Sequence, residues 1–171
     1  ILVTAIGFLL AGLNMVREKE IGTIEQINVT PVRKSQFIIA KMVPFLLIGL
    51  VDLALGLLIG KLAFNIPFNG SILLMFLGST IFLIAVLGMA VFFSTFSGSQ
   101  QQYMFLAFFC MIIFILMSGI FTPYESMPQW AQDFNLINPV AYLMKINRMV
   151  MLKGSTISDI SRELISLSVL S

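Results

Sequence analysis

Apolar residues fall in long blocks along this chain, and polar residues collect between the blocks. Ile1 to Val16 is apolar except for Thr4 and Asn14, and a dense polar patch then runs to about Gln36. Apolar blocks over 37–60, 72–96 and 103–121 follow, the first interrupted by Lys41, Pro44 and Asp52. "KLAFNIPFNGS" reads as a short turn with Pro67 and an Asn69-Gly70 pair, and "SGSQQQ" closes a hairpin without any charge. From Leu62 to Tyr124 there is no Asp, Glu, Lys or Arg. That stretch is too long for one bilayer crossing of about 20 residues, so it reads as two crossings and a turn. The segment 122–156 is mixed, and 157–171 turns apolar again as the start of a last span. In lipid only helices and closed barrels satisfy every backbone hydrogen bond, and strand alternation is absent. The expected fold is therefore all-α: an integral-membrane, polytopic helical bundle.

Composition sharpens that expectation. The 171 residues are 58% hydrophobic and 11% charged, with a mean hydropathy of +1.01, against about 25% charged residues in soluble domains. The net charge of +2 is too small to suggest nucleic acid. With no His in the chain, imidazole catalysis and His-ligated metal are excluded, and no metal site is expected. Cys110 is alone and forms no internal disulfide. The chain starts at Ile1 in apolar sequence and is read as a piece of a longer protein; Ile1 to Val16 lacks the basic start and cleavage site by which a signal peptide is recognised.

The patch "REKEIGTIEQINVTP" has internal structure. Thr23 followed by Gln26 fits a capping box, and Gly22 can bend the chain out of the preceding helix. Ile21, Ile24 and Ile27 recur every three residues and make one apolar side, with Glu20, Glu25 and Gln26 projecting elsewhere. Pro31 ends the element at Thr30. On spacing alone, this is either a short amphipathic helix beside the membrane or a solvated connecting loop. "GLLIGKL" at Gly56–Leu62 is one residue short of a phosphate-binding loop and lacks its hydroxyl. It reads instead as a packing face of Gly49, Gly56 and Gly60, in which Gly56-x-x-x-Gly60 admits a neighbouring helix.

"REKEIGTIEQINVTPVRKSQFIIAK" resembles the signature of the type-2 family of ATP-binding-cassette (ABC) exporter permeases, with Arg17, Glu18, Lys19, Glu20, Gly22, Thr23, Glu25, Thr30, Pro31 and Lys34 in the matching positions. "SGIFTPYESMPQWAQDFNLINPVAYLMKINRMVMLKG" is similar to the same family's segment after the fifth span. The resemblance implies that 1–16 ends the second of six spans and that 17–36 is a cytoplasmic coupling segment docking on a separate ATPase. Ile24 and Ile27 would be buried there, with Glu18, Glu20 and Glu25 choosing a basic rim. It also implies an outer gate of re-entrant helices within 122–156, carried by Pro123, Met127, Pro128, Trp130, Asn138 and Pro139. The expected partners are the ABC ATPase, a second permease subunit (the same or different) and the bilayer of a bacterial inner membrane. ATP and Mg would be held by the ATPase, with no cofactor in this chain. Whether the full protein carries a large extracytoplasmic domain after its first span is left open.

Positive-inside counting agrees, by the density of Arg17, Lys19, Arg33, Lys34 and Lys41 against Lys61, Lys145, Arg148 and Lys153. Lys41 lies close enough to the span end to snorkel. Asp52 is the one acid deep in a crossing, either lining a pathway or making a structural hydrogen bond. Phe105, Phe108, Phe109 and Phe114 read as packing or lipid contacts. Rival readings are a secondary transporter, which usually carries more ionisable groups at midplane, and a membrane anchor of a signalling assembly. An intramembrane enzyme would need a catalytic set that these residues do not supply.

Overall fold

In a computed structural model of the chain, residues 2–23, 33–64, 71–120, 126–153 and 157–170 are described, and their regular elements are all helical. Helix α1 (Leu2–Ala5) passes through a π-helical stretch (Ile6–Leu10) into α2 (Ala11–Ile21). Then come α3 (Lys34–Phe64), α4 (Ile72–Phe96), α5 (Gln100–Met117), α6 (Gln129–Phe134), α7 (Pro139–Lys153) and α8 (Ile157–Leu170). Among the described residues, three stretches are long and apolar enough to cross a membrane: Ser35–Leu62, Ile72–Phe96 and Gln100–Met117.

Helix α4 is the centre of the bundle. A helix apolar on all sides belongs in a core, and half of its spanning window is buried against other helices, compared with 6% for α3. It packs on α2, α3, α7 and α8, with Phe82, Leu83, Ala85 and Ala90 fully buried. Helix α3 instead presents Val43, Leu47, Val51 and Leu55 outward, and α5 presents Phe105, Phe108 and Phe109. Phe114 is buried, edge-on to Phe8 with ring centroids 6.3 Å apart.

The π stretch has a local cause in its packing. Widening the helix frees a carbonyl from the regular ladder, and the buried Tyr103 hydroxyl donates to Phe8 O at 2.5 Å. Gly12 leaves the space for that ring, because a Cβ there would lie 1.8 Å from the Tyr103 oxygen.

The structure corrects or refines the sequence reading at three places. Pro44 does not interrupt its crossing, for α3 runs unbroken through it with Pro44 on the exposed side. The close approach on the glycine face occurs at Gly49, where an added Cβ would meet Leu83 at 2.7 Å. Gly56 faces open space, so no helix approaches closely there among the described residues. Lys41, at the end of its span, reaches an acid on α2.

Candidate functional site

The polar patch begins inside a helix. Arg17, Glu18, Lys19 and Glu20 form the last turn of α2, which stops at Gly22. Gly22 adopts φ 80°, where a side chain would be strained, and its N–H bonds to the carbonyls of Glu18 and Lys19. Thr23 lies close enough to Glu18 to help lower the pKa of its carboxyl. Ile24, Glu25, Ile27, Pro31 and the Gln26 half of the capping box lie outside the described residues.

Successive residues on a helix point about 100° apart, so Glu18, Lys19 and Glu20 reach three different neighbours. Glu18 accepts from Lys41 Nζ of α3 at 2.5 Å, and this ammonium also sits 5.8 Å from the Phe37 ring centroid. The Lys41 bond holds the Glu18 carboxyl below the usual carboxylate range, against some desolvation, with Thr23 and Arg17 adding to the effect. Lys19 Nζ reaches the carbonyls of Ser94 (3.4 Å), Thr95 (2.9 Å) and Ser97 (3.2 Å), at the C-terminal end of α4. Glu20 accepts from Gln100 Nε2 (2.5 Å) and from the Gln100 backbone N–H (2.9 Å), at the first residue of α5. Those two bonds, the side-chain one first, hold its carboxyl low. Arg17 is exposed.

The chemistry fits the helix ends. The last carbonyls of a helix lack intrahelical donors and carry partial negative charge, while the first N–H groups carry the opposite. A cation therefore sits on the end of α4 and an anion on the start of α5, supplied by adjacent residues of a third helix. The turn between is further fixed by Ser99, which accepts from Gln102 N–H, and by Gln102, which accepts from Gly98 N–H. The sequence reading placed Lys19 and Glu20 in the functional patch but missed Gln100 and the role of Lys41. The available signal was an uncharged turn joining two long helices opposite a Lys-Glu pair.

A second cluster lies at the far end of α5. Asn138 is fully buried. Its amide donates to Phe114 O (2.9 Å) and Asn135 Oδ1 (3.1 Å), while its Oδ1 accepts from Val140 N–H (3.0 Å) and caps α7. Pro139 follows as the first residue of α7, where its missing N–H costs nothing. Met127 is buried, its carbonyl accepting from Gln132 and its sulfur meeting Asn135. Pro128 precedes α6, and Trp130 is 64% exposed. Pro123 lies outside the described residues. Arg148 donates to Gly119 O at 3.3 Å, just past the end of α5. Asp52 is half-buried on α3, without a hydrogen-bond or ion-pair partner among the described residues. An apolar cleft of about 420 Å³ opens between α3 and α4, lined by residues including Met42, Leu46, Leu87 and Val91.

A helical bundle with apolar outer faces and charges gathered on helix ends is an integral-membrane protein. The chain belongs to the ABC-2 type transporter family, whose profile matches residues 1–152. It is 32% identical to the probable multidrug ABC transporter permease YbhR of Escherichia coli K12, over 99% of this chain and 46% of that protein. It is 31% identical to the inner membrane transport permease YhhJ of the same organism, over 90% of this chain and 41% of the relative. ABC transporter G family member 20 of Dictyostelium discoideum is 26% identical over 85% of this chain and 20% of its own length. The chain thus spans less than half the length of these relatives. No solved structure matches it.

Proposed function

We propose that this chain is the membrane-spanning portion of a permease subunit of an ABC exporter in the bacterial inner membrane. A separate cytoplasmic ATPase binds ATP and Mg, and this chain performs no covalent chemistry. The segment from Arg17 to Gln36 receives the movement of that ATPase and passes it to the helices. One observation carries the reading: the last turn of α2 is tied to α3, α4 and α5 at once before the chain turns at Gly22. A displacement of this end would reach the whole bundle. A second permease subunit completes the pathway, and the elements from Met127 to Pro139 form its outer gate.

Names among the relatives support drug-like compounds as substrates. The test is ATP-dependent accumulation of ethidium in inside-out vesicles carrying the full-length protein with its ATPase. Uptake should require ATP and fall on reversal of Glu25 to Lys, while the ATPase remains folded. ATP-independent uptake driven by a proton gradient would overturn the reading in favour of a secondary transporter. Asp52→Asn separates a pathway role from a structural one: full transport by that variant excludes the pathway.

A further inference from the structure

Three of the polar residues at the end of α2 reach across to neighbouring helices, although Lys19 and Glu20 stay exposed. Glu18, Lys19 and Glu20 hold partners on other helices of the same chain, so their charges are already engaged within the bundle. Two of these three ties reach α4 and α5, which are joined to the coupling segment only through distant stretches of chain: Lys19 and Ser97 are 78 residues apart, and Glu20 and Gln100 are 80.

We propose that Lys19, Glu20 and Gln100 are positioning residues that make the α4–α5 turn a second arm of the coupling segment. This rests on the coupling reading given above. Without the clamp, movement of the segment would pull on α2 and α3, the helices that flank it in the chain, and reach α4 and α5 only through the packing of α2. With it, the same displacement reaches α5 at its first residue. Helix α5 is also the element whose other end carries Asn138 and the outer cluster. The two charges are matched to the polarity of the turn, a cation on the closing end of α4 and an anion on the opening end of α5. Both are spent on bonds within the chain, so their loss should uncouple the movement without detaching the motor.

The test replaces the polar tie with a covalent one. In the full-length protein with its ATPase, Cys110→Ser removes the chain's native thiol, and Glu20→Cys with Gln100→Cys places two thiols at the clamp. A fluorescent amino acid at the exposed Gln129 reports movement of the outer segment when ATP is added, so no substrate need be known. In the reduced state the ATPase should still co-purify, and the ATP-driven signal should fall about tenfold, the scale of a single coupling free energy. Bridging the two thiols with a short bifunctional reagent should restore the signal. A reduced variant with the full signal, a bridged variant that stays silent, or loss of the ATPase in the reduced state would each overturn the clamp. If the parent protein itself gives no ATP-driven signal, the coupling reading fails first and the clamp falls with it. Lys19→Met serves as an independent variant, with the same retention of the ATPase and the same loss of signal expected.

Discussion

Replacing Asn138 tests what holds the outer cluster to the bundle. Near the end of α5, Ser118 N–H bonds to Ile115 O rather than continuing the ladder to Phe114 O. That leaves the Phe114 carbonyl to the Asn138 amide, at 2.9 Å in a buried setting. Asn138→Ala removes this donor and the α7 cap together. A lost cap costs about 1 kcal/mol, and a buried carbonyl left without a donor costs about 1–3 kcal/mol. The total is about 2–4 kcal/mol. Polar contacts between membrane helices average nearer 0.6 kcal/mol, because the unfolded chain in lipid finds other partners, so the lower end is favoured. Asn138→Asp separates the two roles: it keeps an acceptor for Val140 N–H but offers Phe114 O a second acceptor and buries a charge. Thermal unfolding in mild detergent, followed by a thiol-reactive dye at Cys110, should rank the variants Asn138, then Ala, then Asp. If Asn138→Asp proves more stable than Asn138→Ala, the cap dominates and the bond to Phe114 does not hold the cluster.

Three further outcomes follow from particular contacts. Gly12→Ala drives a methyl into the Tyr103 ring and should destabilise by about 1–3 kcal/mol, as overpacking does; an unchanged melting temperature would mean that the ring leaves Phe8 freely. Gly56→Ala meets nothing within 4 Å and should be neutral or stabilise by up to about 1 kcal/mol through helix propensity, so a loss of folding would reveal a helix packed there. Glu18 has its carboxyl held below the ordinary 4.5 by Lys41. Its contribution is therefore complete above pH 4.5 and is lost as the pH falls through the folded value. Melting curves should show the parent protein losing stability below that pH more steeply than Glu18→Gln, and parallel pH profiles would remove the Glu18–Lys41 tie from the account.

The helices were legible in the sequence because lipid demands long apolar runs, and their periodicity needs no partner to be recognised. The Gly22 turn was legible too, since a glycine after a charged turn has a local conformational reason. What stayed hidden depended on neighbours distant in the chain. Nothing near Lys41 says that its charge meets Glu18. The Gly56-x-x-x-Gly60 spacing looked like a packing motif, yet Gly49 takes the close contact, because which face of α3 meets α4 is set by the whole bundle. Gln100 belongs to the uncharged "SGSQQQ" turn, and only its place at the first turn of α5 opposite Glu20 distinguishes it. Gly12 and Tyr103 make the same point: neither signals the π stretch until they are seen in contact.

The two ends of α5 are held by different chemistry, and the difference has a physical reason. At its start, Glu20 is a charged group on an exposed turn, where water reduces the cost of keeping it ionised and the helix dipole favours it. At its far end, the group reaching Phe114 O is a fully buried amide. A lysine there would carry an unpaired charge into an apolar setting, at a cost of several kcal/mol. An amide supplies donor and acceptor together, and Asn138 uses both, one toward α5 and one toward α7. Arg148, which carries full charge, reaches Gly119 O from an exposed position beyond the helix end. Helix α5 is thus tied at each terminus by a side chain suited to its local solvent. A helix fixed at both ends is what a signal entering at Glu20 would need in order to arrive at Asn138.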